Sequence, residues 1–213
     1  MKKVLLFLAA TTLFVMPSHA GTAEKLDQIF QEDILGADAA YIQSIAGVPL
    51  KTESHEGETW QTYKIGKCKV EVTTDGHKVL SLSMMKLSPE CTFDMVNMNI
   101  NFPSIKAHEV TFGSFHGRYG SDCLMGCGNS VESTVTLEYY GCYAEDNINV
   151  TLSRGQNSDD FLNAVEKWRE HILKHENEEY VMEGKYNDGK YNEVAQKYFK
   201  DFKIDRITFS KMW

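Results

Sequence analysis

The chain has 213 residues, with 22 Lys and Arg against 30 Asp and Glu, a formal charge of −8, and 42% hydrophobic and 24% charged side chains. That length and balance fit one globular domain or two small ones and argue against a disordered chain or a multi-span membrane protein. An acidic surplus also argues against nucleic acid as a partner, because such binding draws on basic surfaces that release counterions.

Lys2 and Lys3, the mostly apolar run 4–15, and Ser18-His19-Ala20 with small residues at its first and last positions make the three parts of a secretory signal. The sequence therefore predicts a signal peptide over 1–20, of bacterial type, cut before Gly21. The apolar run is shorter than the about 20 residues a bilayer span needs, and no later stretch is long enough. Expected localisation is the periplasm or the medium, with no membrane insertion after cleavage. Gly21 offers no thiol for lipidation at the cut.

From Gly21, the spacing of Ala23, Leu26, Ile29 and Phe30 predicts a first helix. Asp38 is a good cap for a second, in which Tyr41, Ile42 and Ile45 share a face and which Gly47 and Pro49 close. Strand-like runs follow at 59–65, 68–74 and 78–84, separated by Gly66-Lys67 and by the hairpin dipeptide Asp75-Gly76. In the middle run Cys68, Val70 and Val72 alternate with Lys69, Glu71 and Thr73, the period of a strand with one buried face.

This order, with signposts Gly36, Gly47-Val48-Pro49, Trp60 and Tyr63, resembles the BamE/SmpA and β-lactamase-inhibitory-protein-like architecture over residues 33–84. The resemblance implies a non-enzymatic scaffold whose relatives bind other proteins. It does not imply a lipid anchor, since the acceptor cysteine is missing.

The second half begins with an expected strand at 108–115 around Val110, Phe112 and Phe115. The glycine-dense run 117–129 reads as an irregular ordered loop. Phe112-Gly113-Ser114-Phe115 followed by Asp122-Cys123-Leu124 and Cys127-Gly128-Asn129 resembles a family of uncharacterised exported bacterial proteins over 112–129, which implies no activity. Strands are expected at 134–140 and 147–153. A helix capped by Ser158 is expected to about residue 175, with Phe161, Val165, Trp168 and Ile172 as its apolar stripe. The stretch 176–192 reads as a polar, mobile connection, followed by a helix at 191–202 and a terminal strand at 204–209 on a sheet edge. The expected fold class is α+β, with antiparallel sheet and helices packed on one face. Its domains are an N-terminal module over 21–100 and a C-terminal module over 101–213, or one continuous domain.

In an oxidising compartment the five cysteines become disulfide candidates. Cys68 with Cys91 is favoured, because both lie beside strand edges or turns and such a loop is worth roughly 3 kcal/mol. Cys123 with Cys127, in a glycine-rich setting, is the favoured second bridge and leaves Cys142 as the free thiol. Cys142 bonded to Cys123 or Cys127 is the alternative.

Catalytic chemistry finds little support. His171 and His175, four apart on a helix, are a weak metal candidate, but Ile172 stands where a zinc protease carries its general base. A Cys123 or Cys127 nucleophile activated by His116 would need a free thiolate, which oxidation opposes. The acid pairs Glu145-Asp146, Asp159-Asp160 and Glu178-Glu179 fall in turns, helix starts or polar stretches. No cofactor is expected. Tyr139, Tyr140 and Tyr143 form the candidate binding surface, and in a strand Tyr139 and Tyr140 must point to opposite faces. The sequence thus points to a non-catalytic protein-binding module, inhibitor-like or assembly-associated, with a protein partner that its acidic surface would select as basic. The alternative is a hydrolase with an unrecognised active site.

Overall fold

Alternation in the run 68–74 does what its period demands: Cys68, Val70, Val72 and Thr74 are buried, and Lys69 between them is exposed. The same division extends across a whole sheet. A computed structural model describes residues 21–125, 134–140, 148–155 and 158–211. Its helices are α1 (Thr22–Ile29), α2 (Ala39–Ala46), α3 (Asp159–Leu173), α4 (Glu178–Met182) and α5 (Asn192–Phe199). Its strands are β1 (Lys51–His55), β2 (Glu58–Ile65), β3 (Cys68–Thr74), β4 (Val79–Met85), β5 (Arg118–Ser121), β6 (Thr134–Tyr140), β7 (Ile148–Gly155) and β8 (Arg206–Lys211). All eight pair antiparallel in one sheet of order β1-β2-β3-β4-β8-β7-β6-β5, so the fold is α+β.

The helices form where caps and stripes place them. The Asp38 carboxylate accepts the Ala40 N–H at 2.8 Å and starts α2, which ends at Gly47. Ser158 occupies the cap position of α3, but its side chain makes no capping hydrogen bond; Asp159 and Asp160 supply the favourable charge at that terminus instead. Phe161, Val165, Trp168 and Ile172 are all buried as a stripe, and Trp168 meets Tyr186 and Phe199 edge-on. Among the described residues no helix is long and apolar enough to cross a membrane.

Four expectations are corrected. The C-terminal strand is not on an edge: β8 lies between β4 and β7, with Ile207 and Phe209 on the buried face beside Met84 and Leu82. Residues 108–115 are not a strand but two 3₁₀ turns, Ala107–Glu109 and Phe112–Ser114, which drop Ala107, Val110, Phe112 and Phe115 into the core. Within the glycine-dense run, Arg118–Ser121 is a strand. Glycine is required at its start by close approach, since a Cβ on Gly117 would lie 2.3 Å from the Glu138 carbonyl oxygen; in the preceding turn a Cβ on Gly113 would likewise lie 2.7 Å from that of Lys200. The polar stretch 176–192 is folded into α4 and a 3₁₀ turn, Lys185–Asp188, around the buried Tyr186. A fifth feature, β1, was not expected at all, because every one of its residues is exposed.

The expected boundary between residues 100 and 101 falls within a crossover that leaves β4 in mid-sheet and enters β5 at the far edge. Strands from both sides of that boundary hydrogen-bond through β4 and β8. Packing joins them too: Phe30 stacks on Phe93 at 4.0 Å between centroids, and both meet Phe209. One ring comes from the end of α1, one from the crossover and one from β8. Cys68 at the start of β3 is bonded to Cys91 in the crossover, with Cα atoms 5.3 Å apart. The favoured first bridge is therefore present. Cys123 is also disulfide-bonded. Cys127, Cys142, Tyr143 and the signal segment 1–20 lie outside the described residues.

Candidate functional site

Among the described residues the helices cover one face of the sheet and no helix covers the other. Cross-strand register makes the open face a set of rows. One row reads Glu53, Trp60, Thr73, Ser81, Ser210, Asn149, Tyr140, from β1 to β6. The next reads Lys51, Thr62, Glu71, Ser83, Thr208, Thr151, Glu138, Arg118. The floor is thus built from small hydroxyl side chains, and Ser83 and Thr208 are bonded to each other at 2.6 Å. Such residues favour strands and leave the surface flat. Two large aromatics rise from it toward opposite ends, Trp60 at 42% exposure and Tyr140 at 40%. A groove of about 340 Å³ runs beside Trp60 over Thr62, Glu71, Thr73 and Ser83.

The tyrosine candidates separate as strand period requires. Tyr139 turns inward, edge-on to Phe102 and Phe115. Tyr140 turns to the open face and joins a three-residue network. Its hydroxyl donates to Glu138 at 2.5 Å and accepts from the Arg118 guanidinium at 2.6 Å, while Arg118 also pairs with Glu138. Partial burial works against ionisation of Glu138, but the bonds from Tyr140 and Arg118 and the guanidinium charge together hold its carboxyl below the ordinary value. The Tyr140 phenol is raised, first by its bond to Glu138 and then by burial and the carboxylate charge. Arg118 also lies over the Tyr140 ring, 5.4 Å from its centroid.

The catalytic and metal candidates are not assembled into a site by the described residues. His171 and His175 do come together, with ring centroids 5.0 Å apart, and Tyr191 is the other ring beside His171. Among the described residues no group of three or more His, Cys, Asp or Glu is placed to hold a metal. His116 is exposed and meets Gln196 at 3.4 Å, and the sulfur of Cys123 is in a disulfide rather than a thiolate. Asp159-Asp160 and Glu178-Glu179 occupy the first turns of α3 and α4, where acids favour the helix dipole, and Glu145-Asp146 lies outside the described residues.

Sequence reasoning missed Arg118 and Glu138. The signal available was weak: a charged residue of each sign on strands that pair only once the register is known. Comparison with known proteins finds no match, for no family model matches the chain and no curated protein or solved structure shows significant similarity to it.

Proposed function

We propose that this chain is an exported bacterial protein of the periplasm or medium, which acts as a non-catalytic protein-binding module and docks its partner on the open sheet face. The observation that carries the reading is the pairing of exposed Trp60 and Tyr140 with Arg118 on a hydroxyl-floored sheet face that no helix among the described residues covers. Trp, Tyr and Arg are the residue types that concentrate binding energy at protein interfaces, since each combines large contact area with a polar handle. Neighbouring Ser and Thr supply hydrogen bonds at little entropic cost. The inhibitor-like or envelope-assembly role implied by the architectural resemblance belongs to the same proposal, as does export by the 1–20 segment. The acidic surplus favours approach by a partner with basic surface, a long-range effect that weakens with salt.

The test is capture of the partner from an envelope extract of the native host, with the purified chain as bait. Trp60→Ala with Tyr140→Ala is expected to lose the captured protein at unchanged circular dichroism, by at least about 2 kcal/mol if Trp60 is an anchor. Full capture by the double variant would sink the proposal.

A further inference from the structure

The lower end of the open face runs against the charge of the whole chain. Lys64 on β2 stands directly opposite Lys69 on β3, Lys69 opposite Met85 on β4, and Met85 opposite Arg206 on β8. Three cations therefore share one row across four strands, a span of about 14 Å at the usual strand spacing. Like charges directly opposite in an antiparallel pair repel and destabilise it. Lys86, the next residue after β4, adds a fourth cation with φ at 55°. That left-handed conformation is unfavourable for a side chain of this kind and is the place where glycine would relieve strain. In a protein of charge −8, acids to neutralise this row are plentiful. Yet among the described residues Lys64, Lys69, Lys86 and Arg206 take part in no ion pair, whereas nearby Lys51 and Lys67 are paired with Glu53 and Glu90.

Two of these cations, Lys69 and Lys86, line a groove of about 470 Å³ together with Leu50, Met85, Lys51, Lys67 and one acid, Glu71. Leu50 is 62% exposed, so the cationic site has an apolar wall open to solvent. The groove shares Thr62 and Glu71 with the one beside Trp60, which makes the two a continuous track along β2 and β3.

We propose that this groove receives an acidic, extended segment of the partner protein, with carboxylates on Lys69 and Lys86 and an apolar side chain against Leu50 and Met85. The proposal rests on the reading of the open face as the docking surface and names the chemistry of what seats at one end of it. Charge complementarity carries the choice of occupant. Glu71, which lines this groove as well as the one beside Trp60, and Glu53 beyond it repel a uniformly anionic bilayer but leave room for a chain whose acids fall only beside Lys69 and Lys86. The partner can be basic overall and still present this segment, because net charge governs approach and local charge governs seating.

The test titrates the isotopically labelled chain with a blocked hexapeptide alternating glutamate and leucine. Amides of Lys69, Met85 and Lys86 are expected to shift. Affinity is expected to fall about tenfold or more for the glutamine–leucine peptide and for Lys69→Glu with Lys86→Glu, as charge-pair losses of this size do. Lys69→Glu alone, on a regular strand position, repeats the test without touching the left-handed residue. Equal binding of the glutamine peptide, no shifts at about 1 mM peptide, or occupation of the same amides by inorganic phosphate or phosphatidylglycerol vesicles in place of peptide overturns it. If the peptide fails while the Trp60 and Tyr140 variant still loses the captured protein, only this inference falls. If that variant keeps its capture, the docking face itself is wrong.

Discussion

The two ends of the sheet are secured by different chemistry. At the far end, β5 would expose a row of backbone donors and acceptors, but side chains from the helical segment close it. Asn187 accepts the Ser121 N–H at 3.0 Å, and its amide donates to the Ser121 carbonyl, which also accepts from the Tyr186 hydroxyl. Asn192 accepts the Tyr119 N–H at 2.9 Å. These residues take the place of a ninth strand. At the near end β1 has no such cover among the described residues; it is short and carries Lys51 and Glu53, charges that discourage pairing with another chain. What fastens the near half is covalent, the Cys68–Cys91 bond between β3 and the crossover. A sheet edge can be shut by polypeptide or guarded by charge, and only the second solution leaves the adjacent groove accessible.

The largest expected effect comes from breaking the covalent fastening. Cys68→Ser with Cys91→Ser is expected to lose about 3 kcal/mol in urea unfolding, the worth of closing a loop of this length in the unfolded chain. Amide exchange is expected to accelerate in β1 to β4 and to stay slow in β5. Equal acceleration at both ends would show that they unfold as one unit and would remove the distinction between them.

A smaller effect is expected from opening the far edge. Asn187→Ala with Asn192→Ala removes the side-chain acceptors of the Ser121 and Tyr119 N–H groups, and about 2 kcal/mol of stability is expected to go with them. Because the freed edge can pair with another copy, sedimentation is expected to show stronger concentration-dependent association than in the parent chain. Unchanged stability in a variant that associates no more than the parent would mean that water replaces the clamp at no cost.

What the sequence disclosed follows the same division. The strands β2, β3 and β4 were legible because their inward residues alternate with polar ones, and Cys68 and Cys91 could be paired because both flank that meander. The stripe of α3 was legible for the corresponding reason at helical period. β1 was not, since a strand exposed on both faces has no burial pattern to impose on its residues. β5 was hidden by Gly117 and Gly120, whose presence answers to the neighbouring Glu138 carbonyl, Thr136 and Asn187 rather than to local chain preference. The central place of β8 depends on pairing with strands more than fifty residues away in sequence, a relation that no local window contains. In the candidate site, the opposite facing of Tyr139 and Tyr140 was deducible from strand period, and Trp60 was already marked. The cationic row was not, because Lys64, Lys69 and Arg206 converge only through register.

The smallest expected effect lies on the open face at the far end, in the Arg118, Glu138 and Tyr140 network. The Tyr140 phenol is raised in the folded chain, so its contribution is complete below the ordinary tyrosine value and fades as pH climbs through the raised one. Glu138 is lowered, so its contribution is complete above the ordinary carboxylate value and fades as pH falls through the lowered one. The stability difference between the parent chain and Tyr140→Phe is thus expected to form a plateau across neutral pH and to shrink at both ends. With Arg118 and Glu138 each more than a third exposed, solvent screening limits the plateau to no more than about 1 kcal/mol. Urea midpoints for both proteins across the pH range measure it. A difference that stays constant from acid to alkali would show that the hydroxyl acts only by packing, and the far end would then owe its order to the asparagine clamp alone.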